Sequence, residues 1–252
     1  MKYSFEASNS AGRLWKILND LKGRAGGDLY AQLGQAMGID PGDPVAYIAT
    51  LSALISVLDS VDRQVRAIPG VNHELFLQTL PHLRAVLGGA RSNEAFDSFK
   101  ARLLSQDILT PLTFCADLLG ETDPEVEIPP NELKSLLEDI SHLYESIVSS
   151  TLPKPVKTLI LDQLENIRRA VHEYRVRGVR ALKDALATAA GQIHMHAEDL
   201  KGAKSEESQS ELRKFSKILD TVDTMISVAT KAQRLLAPIM PYLPLLLGPI
   251  SS

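Results

Sequence analysis

His194-Met195-His196 with Glu198 is the spacing in this 252-residue sequence that comes closest to a metal-ligand pattern. On one helix, residues two apart point about 200° apart, so the two histidines face different ways, whereas His194 and Glu198 share a face. Two ligands fall short of the three or four that zinc needs, so no metal is expected. Cys115 is the one thiol. Its neighbours Phe114, Ala116, Leu118 and Leu119 suit a small buried side chain, whereas a nucleophilic thiolate needs an accessible, electropositive setting. Glu138-Asp139 and Glu206-Glu207 are adjacent carboxylates, but nothing beside them would hold one protonated and the other ionised, as acid–base work requires. There is no G-x-x-x-x-G-K-[ST], no G-x-G-x-x-G ahead of a helix, no H-E-x-x-H and no G-x-S-x-G. The chemistry of the sequence therefore leans away from an enzyme, and no cofactor is expected.

Two features point to contact with other molecules. The first is basic: Arg168, Arg169, Arg175, Arg177, Arg180 and Lys183 gather around Glu173. On a continuous helix, residues 169, 173, 176, 177 and 180 lie opposite the apolar stripe. Such a run is ordinarily a solvated helix face; its functional reading is a contact for an anionic partner, whether nucleic acid or lipid headgroups. No aromatic residues interleave for base stacking, and the formal net charge is -4, so nucleic acid is disfavoured.

The second is the apolar segment 235–252. No charge follows Arg234, and Pro238, Pro241 and Pro244 recur at every third residue. In polyproline II, with three residues per turn, these prolines share one edge. An α-helix through all three is disfavoured, because each removes a hydrogen bond. Chain ends are normally polar and frayed, so this segment is expected to be held by something. Three readings compete: a groove of its own bundle, a partner or second subunit, and a membrane. Ile239, Met240, Tyr242, Leu243, Leu245, Leu246 and Leu247 are the candidate contacts. A lone bilayer span is disfavoured, because an extended proline-rich backbone leaves carbonyls unpaired in hydrocarbon.

The elements behind these features read as helices throughout. Hydrophobic residues make up 44%, charged residues 23% and aromatic residues 5%, so the core must be built mostly of Leu, Ile, Val and Ala. Apolar positions recur at three- and four-residue steps, and no segment alternates with period two. The expected fold is an all-α multi-helix bundle, with shorter helices in the N-terminal half and long antiparallel helices in the C-terminal half. The expected organisation is an N-terminal helical module over 1–120, an acidic proline-rich linker or loop over 121–130, a long-helix bundle over 131–234, and the apolar tail. Whether 121–130 separates two domains or is a surface loop within one stays open. Ile48, Leu51, Leu54, Ile55, Leu58, Val61, Val65 and Ile68 mark one helix face. Leu75, Phe76, Leu80 and Leu83 mark another behind Asn72 as candidate N-cap, with Pro81 expected either to kink that helix or to start a second. Thr110-Pro111 reads as an N-cap followed by a proline at the first helical position. Leu143, Ile147 and Val148 sit in the register of the first long helix, and 201–210 reads as an exposed linker. The stripe Val156, Ile160, Leu164, Ile167, Val171, Tyr174, Leu182, Leu186, Ala189 and Ile193 keeps phase across Gly178. That phase predicts one helix of about 45 residues, roughly 65 Å long, rather than a hairpin.

The leading functional expectation is a non-enzymatic helical interaction or scaffold protein that docks through its apolar tail. The alternatives are a membrane-active helical effector, such as a toxin or defence component, and an enzyme without a recognisable motif. A protein partner or self-association is expected, with a membrane surface as the alternative. The N-terminal residues lack a charged-then-apolar leader layout, and the expected location is cytoplasmic, with peripheral membrane attachment as the variant.

Overall fold

The computed structural model describes residues 9–37, 44–91, 94–122 and 125–230. Among them every regular element is an α-helix, and an isolated bridge between Asp28 and Ala95 is the one β feature. The chain forms two compact units. One holds the described residues up to Glu125 together with Arg175–Gly178; the other holds the described residues from Val126 onward apart from those four.

The first unit comprises α1 (Ser10–Gly23), α2 (Leu29–Met37), α3 (Pro44–Arg66), α4 (His73–Leu77), α5 (Leu80–Gly88), α6 (Phe96–Leu103) and α7 (Leu109–Thr122). Helix α1 packs on α2, α3 and α7, and α3 packs in addition on α2, α4, α5 and α7. Leu14, Leu18 and Leu21 bury the apolar stripe of α1 against Leu54, Leu58 and Leu112. Each such leucine contributes about 1.5–3 kcal/mol relative to an exposed one. Asn9 starts α1: its side chain accepts from the Gly12 N–H at 2.9 Å and donates to the Ala116 carbonyl at 2.8 Å, so one buried amide caps a helix and ties it to α7.

Several local expectations change here. Pro81 starts a second helix, as the second residue of α5, where its missing N–H has no partner to lose. Asn72 stands before α4 but its side chain makes no capping bond. Asp107 does the capping expected of Thr110: its Oδ1 accepts from the Thr110 N–H at 3.2 Å. Ile48 and Leu75 leave the core, at 69% and 57% exposure, while Tyr47 is buried against the Tyr30 ring. Both displaced residues sit within the first turns of their helices, α3 and α4.

The second unit comprises α8 (Pro130–Ser149), α9 (Lys154–Arg177), α10 (Val179–Met195), α11 (Ala197–Gly202) and α12 (Glu206–Thr230), with the last residues of α9 assigned to the first unit. The continuous helix expected through Gly178 is broken there: Gly178 has φ +62°, and α9 ends at Arg177. The direction of α10 follows from the ends of the helices. At one end the Tyr174 hydroxyl accepts from the Ile128 N–H at 2.8 Å, and the Ala229 carbonyl accepts from the Val126 N–H at 2.7 Å. At the other, Glu207 accepts from the Thr151 N–H at 3.2 Å. Helix α9 is roughly 36 Å long and α10 roughly 25 Å. From Met195 to Glu206 the chain reaches at most about 29 Å. Helix α12 can begin beside Thr151 only if α10 runs back antiparallel to α9. The hairpin set aside on grounds of phase is therefore the observed form, and α8, α9, α10 and α12 alternate up and down around one core of Leu164, Ile167, Leu182, Phe215 and Leu219.

Two further corrections lie in this unit. Val148 is 52% exposed although it falls beside Ile147, which is fully buried. The linker expected over 201–210 shortens to 203–205, because Ser205 Oγ accepts from the Ser208 N–H at 3.1 Å and α12 begins at Glu206.

Candidate functional site

Among the described residues, the groups singled out for chemistry are held apart or sealed. Cys115 is fully buried on α7, its Sγ donates to the Phe76 carbonyl at 3.3 Å, and burial pushes its thiol up to about 12. A thiol held there carries almost no thiolate at neutral pH. Native protein is expected to resist an alkylating reagent at pH 8, with labelling that follows the unfolding transition; rapid labelling of native protein would contradict the burial. His194 lies on α10 while Glu198 lies on α11, so the four-residue spacing does not place them on one helix face. His196 instead meets Asp199, Nδ1 to Oδ2 at 3.0 Å. Among the described residues no three His, Cys, Asp or Glu side chains are grouped to hold a metal ion.

The break at Gly178 also divides the basic run. Arg168, Arg169, Arg175 and Arg177 belong to α9, Arg180 and Lys183 to α10, so they do not form one face of one helix. Arg168 pairs with Glu165 at 2.8 Å and covers the Tyr144 ring at 5.1 Å, which commits it to its own bundle. Arg169, Arg175 and Arg180 are exposed, and Arg177 and Lys183 half-buried. Arg175 and Arg177 fall in the first unit, the other four in the second.

Sequence spacing did not reveal a groove of about 570 Å³ in the first unit, between the α4–α5 corner and the start of α7. Leu75, Phe76, Pro111 and Phe114 give it apolar walls, and Gln78, Gln106, Asp107 and Thr110 a polar rim. Phe114 is 53% exposed, unusual for a large aromatic side chain. Thr79 lines the same groove; it is buried, and its hydroxyl has no hydrogen-bond partner among the described residues. The signal for this site lay in the pairing of Leu75 with Phe114, each of which fits a helical stripe on its own.

Asp107 shapes one edge of the groove. Hydrogen bonds from the Thr110 hydroxyl and backbone N–H hold its carboxyl below the usual carboxylate range. A depressed folded value means that the stabilisation is present above the unfolded value of 3.8 and is lost as pH falls through the folded one. Asp107→Ala is expected to lower stability by about 1 kcal/mol at neutral pH, as removal of an N-cap does. The gap between variant and wild type should close in acid; a gap that persists at pH 2 would rule out the carboxylate as its cause.

The candidate tail contacts Ile239, Met240, Tyr242, Leu243, Leu245, Leu246 and Leu247 lie outside the described residues. What is described is the point from which the segment leaves. Helix α12 buries its apolar face as far as Ala229, whose carbonyl is held by the Val126 N–H. Among the described residues no helix is long and apolar enough to cross a membrane. No protein-family model, curated protein or solved structure matches this chain.

Proposed function

We infer that this chain is a non-enzymatic helical interaction protein that docks on a protein partner through its apolar segment 235–252. One observation carries the reading: an uncharged run with prolines at 238, 241 and 244 begins at Leu235, shortly after the end of α12 at Thr230, a helix anchored to its last turn. An anchored root limits the ordering entropy lost when the run binds. Prolines in a three-residue rhythm suit polyproline II, a conformation whose carbonyls are open to a partner's donors. The sealed thiol and the divided histidine–carboxylate pair give no support to a catalytic role.

The test compares the full chain with a full-length Leu243→Asp/Leu246→Asp variant in pull-downs from a cell extract, with captured proteins identified by mass spectrometry. The reading expects proteins that the wild type retains and the variant loses, with equal helicity in both. If the two capture the same proteins, the segment is not the docking element. If the wild type instead floats with anionic vesicles and the variant does not, the membrane-active reading replaces this one.

A further inference from the structure

The α4–α5/α7 groove and the proline-spaced segment match each other chemically. Polyproline II makes no internal hydrogen bonds, so its carbonyls accept from side-chain amides while its prolines pack on apolar and aromatic surfaces. The groove offers both: Phe76, Phe114, Leu75 and Pro111 for packing, Gln78 and Gln106 for donation. The buried Thr79 hydroxyl is a further donor in its lining, with no hydrogen-bond partner among the described residues. Charge agrees as well. Asp107 holds an ionised carboxyl at the rim. The residues from Lys231 onward include Arg234 and Pro238-x-x-Pro241-x-x-Pro244, with no acidic side chain among them.

We propose that this groove receives the segment Pro238–Pro244 of a second copy of the chain, in a polyproline II conformation, with Arg234 drawn to Asp107. The proposal rests on the reading that the segment docks outside its own chain, and it names the partner. A groove on one copy filled by the segment of the next is a heterologous contact, so each added copy presents a new groove or a new segment and assembly grows with concentration.

Sedimentation velocity over a concentration series tests this with three full-length proteins: wild type, Phe114→Glu, and Pro238→Ala/Pro241→Ala/Pro244→Ala. The wild type is expected to gain mass with concentration, and each variant to associate at least about tenfold more weakly, the loss typical of a central anchor. An equimolar mixture of the two variants is expected to form a one-to-one complex, since one supplies the segment and the other the groove. If Phe114→Glu fails to fold, Leu75→Ser alters the same wall at another exposed position.

A wild type that stays monomeric throughout overturns the proposal, as does a variant that assembles like wild type or a mixture that fails to complement. Docking of the segment on its own copy would show as a monomer independent of concentration, and it too overturns the proposal. Failure here is separable from failure of the functional reading. If the Leu243→Asp/Leu246→Asp variant loses a captured protein while Phe114→Glu keeps it, the segment docks elsewhere and only the groove assignment falls.

Discussion

Gly178→Ala is expected to lower the stability of the protein by about 2–4 kcal/mol, a large effect for a single added methyl group. Two causes add. Gly178 holds φ +62°, a left-handed conformation that costs an L side chain about 1–2 kcal/mol. A Cβ there would also overlap the Arg13 guanidinium. Arg13 is not free to swing aside at no cost, because it donates to the Arg177 carbonyl at 3.3 Å and pairs with Glu125 at 2.6 Å. It thus stands at the C-terminal end of α9, where a cation is favoured by the helix dipole. Urea unfolding of a double-mutant cycle separates the causes. In an Arg13→Ala background the glycine substitution should cost only the backbone part, about 1–2 kcal/mol. An equal cost in both backgrounds would mean that the guanidinium accommodates the methyl group.

Glu125→Ala is expected to cost about 3–5 kcal/mol, because it removes a carboxylate that pairs with the Arg13 guanidinium at 2.6 Å in a site that water barely reaches. The two side chains are only 11% and 12% exposed. Exposed pairs such as Arg66–Asp62 should be worth well under about 1 kcal/mol by comparison. The mechanism makes a second, opposite-looking demand. Replacing both partners with apolar residues of similar size, Arg13→Met with Glu125→Leu, should cost much less than Glu125→Ala alone, since no charge is then left buried. If the double substitution is the worse of the two, the attraction between the charges outweighs their desolvation and the account of this pair is wrong.

Helix content is legible in this sequence because a stripe repeating at 3.6 residues needs only local spacing to declare itself. Direction is not legible in the same way. Val171 and Tyr174 on α9 and Leu182 and Leu186 on α10 keep phase because all four face one core, and they do so whether the chain continues or turns back. One glycine in a left-handed conformation reverses the axis without disturbing that register. The Arg13–Glu125 pair joins residues 112 apart and has no local signature. The groove is hidden for a related reason: Leu75 and Phe114 each look like core residues, and only the tertiary arrangement leaves both at the surface. The apolar segment is the reverse case, since its composition and proline rhythm stand out in the sequence alone.

The central claim is that this segment serves binding rather than the core, and thermal unfolding followed by circular dichroism tests it most directly. A chain ending at Ala237 should keep the helicity and the melting midpoint of the full chain, to within about 2 °C, the shift of a change well under 1 kcal/mol in a protein of this size. A truncated chain that loses its helical signal, or melts on the order of 10 °C lower, would make Pro238–Ser252 part of the core and contradict the account.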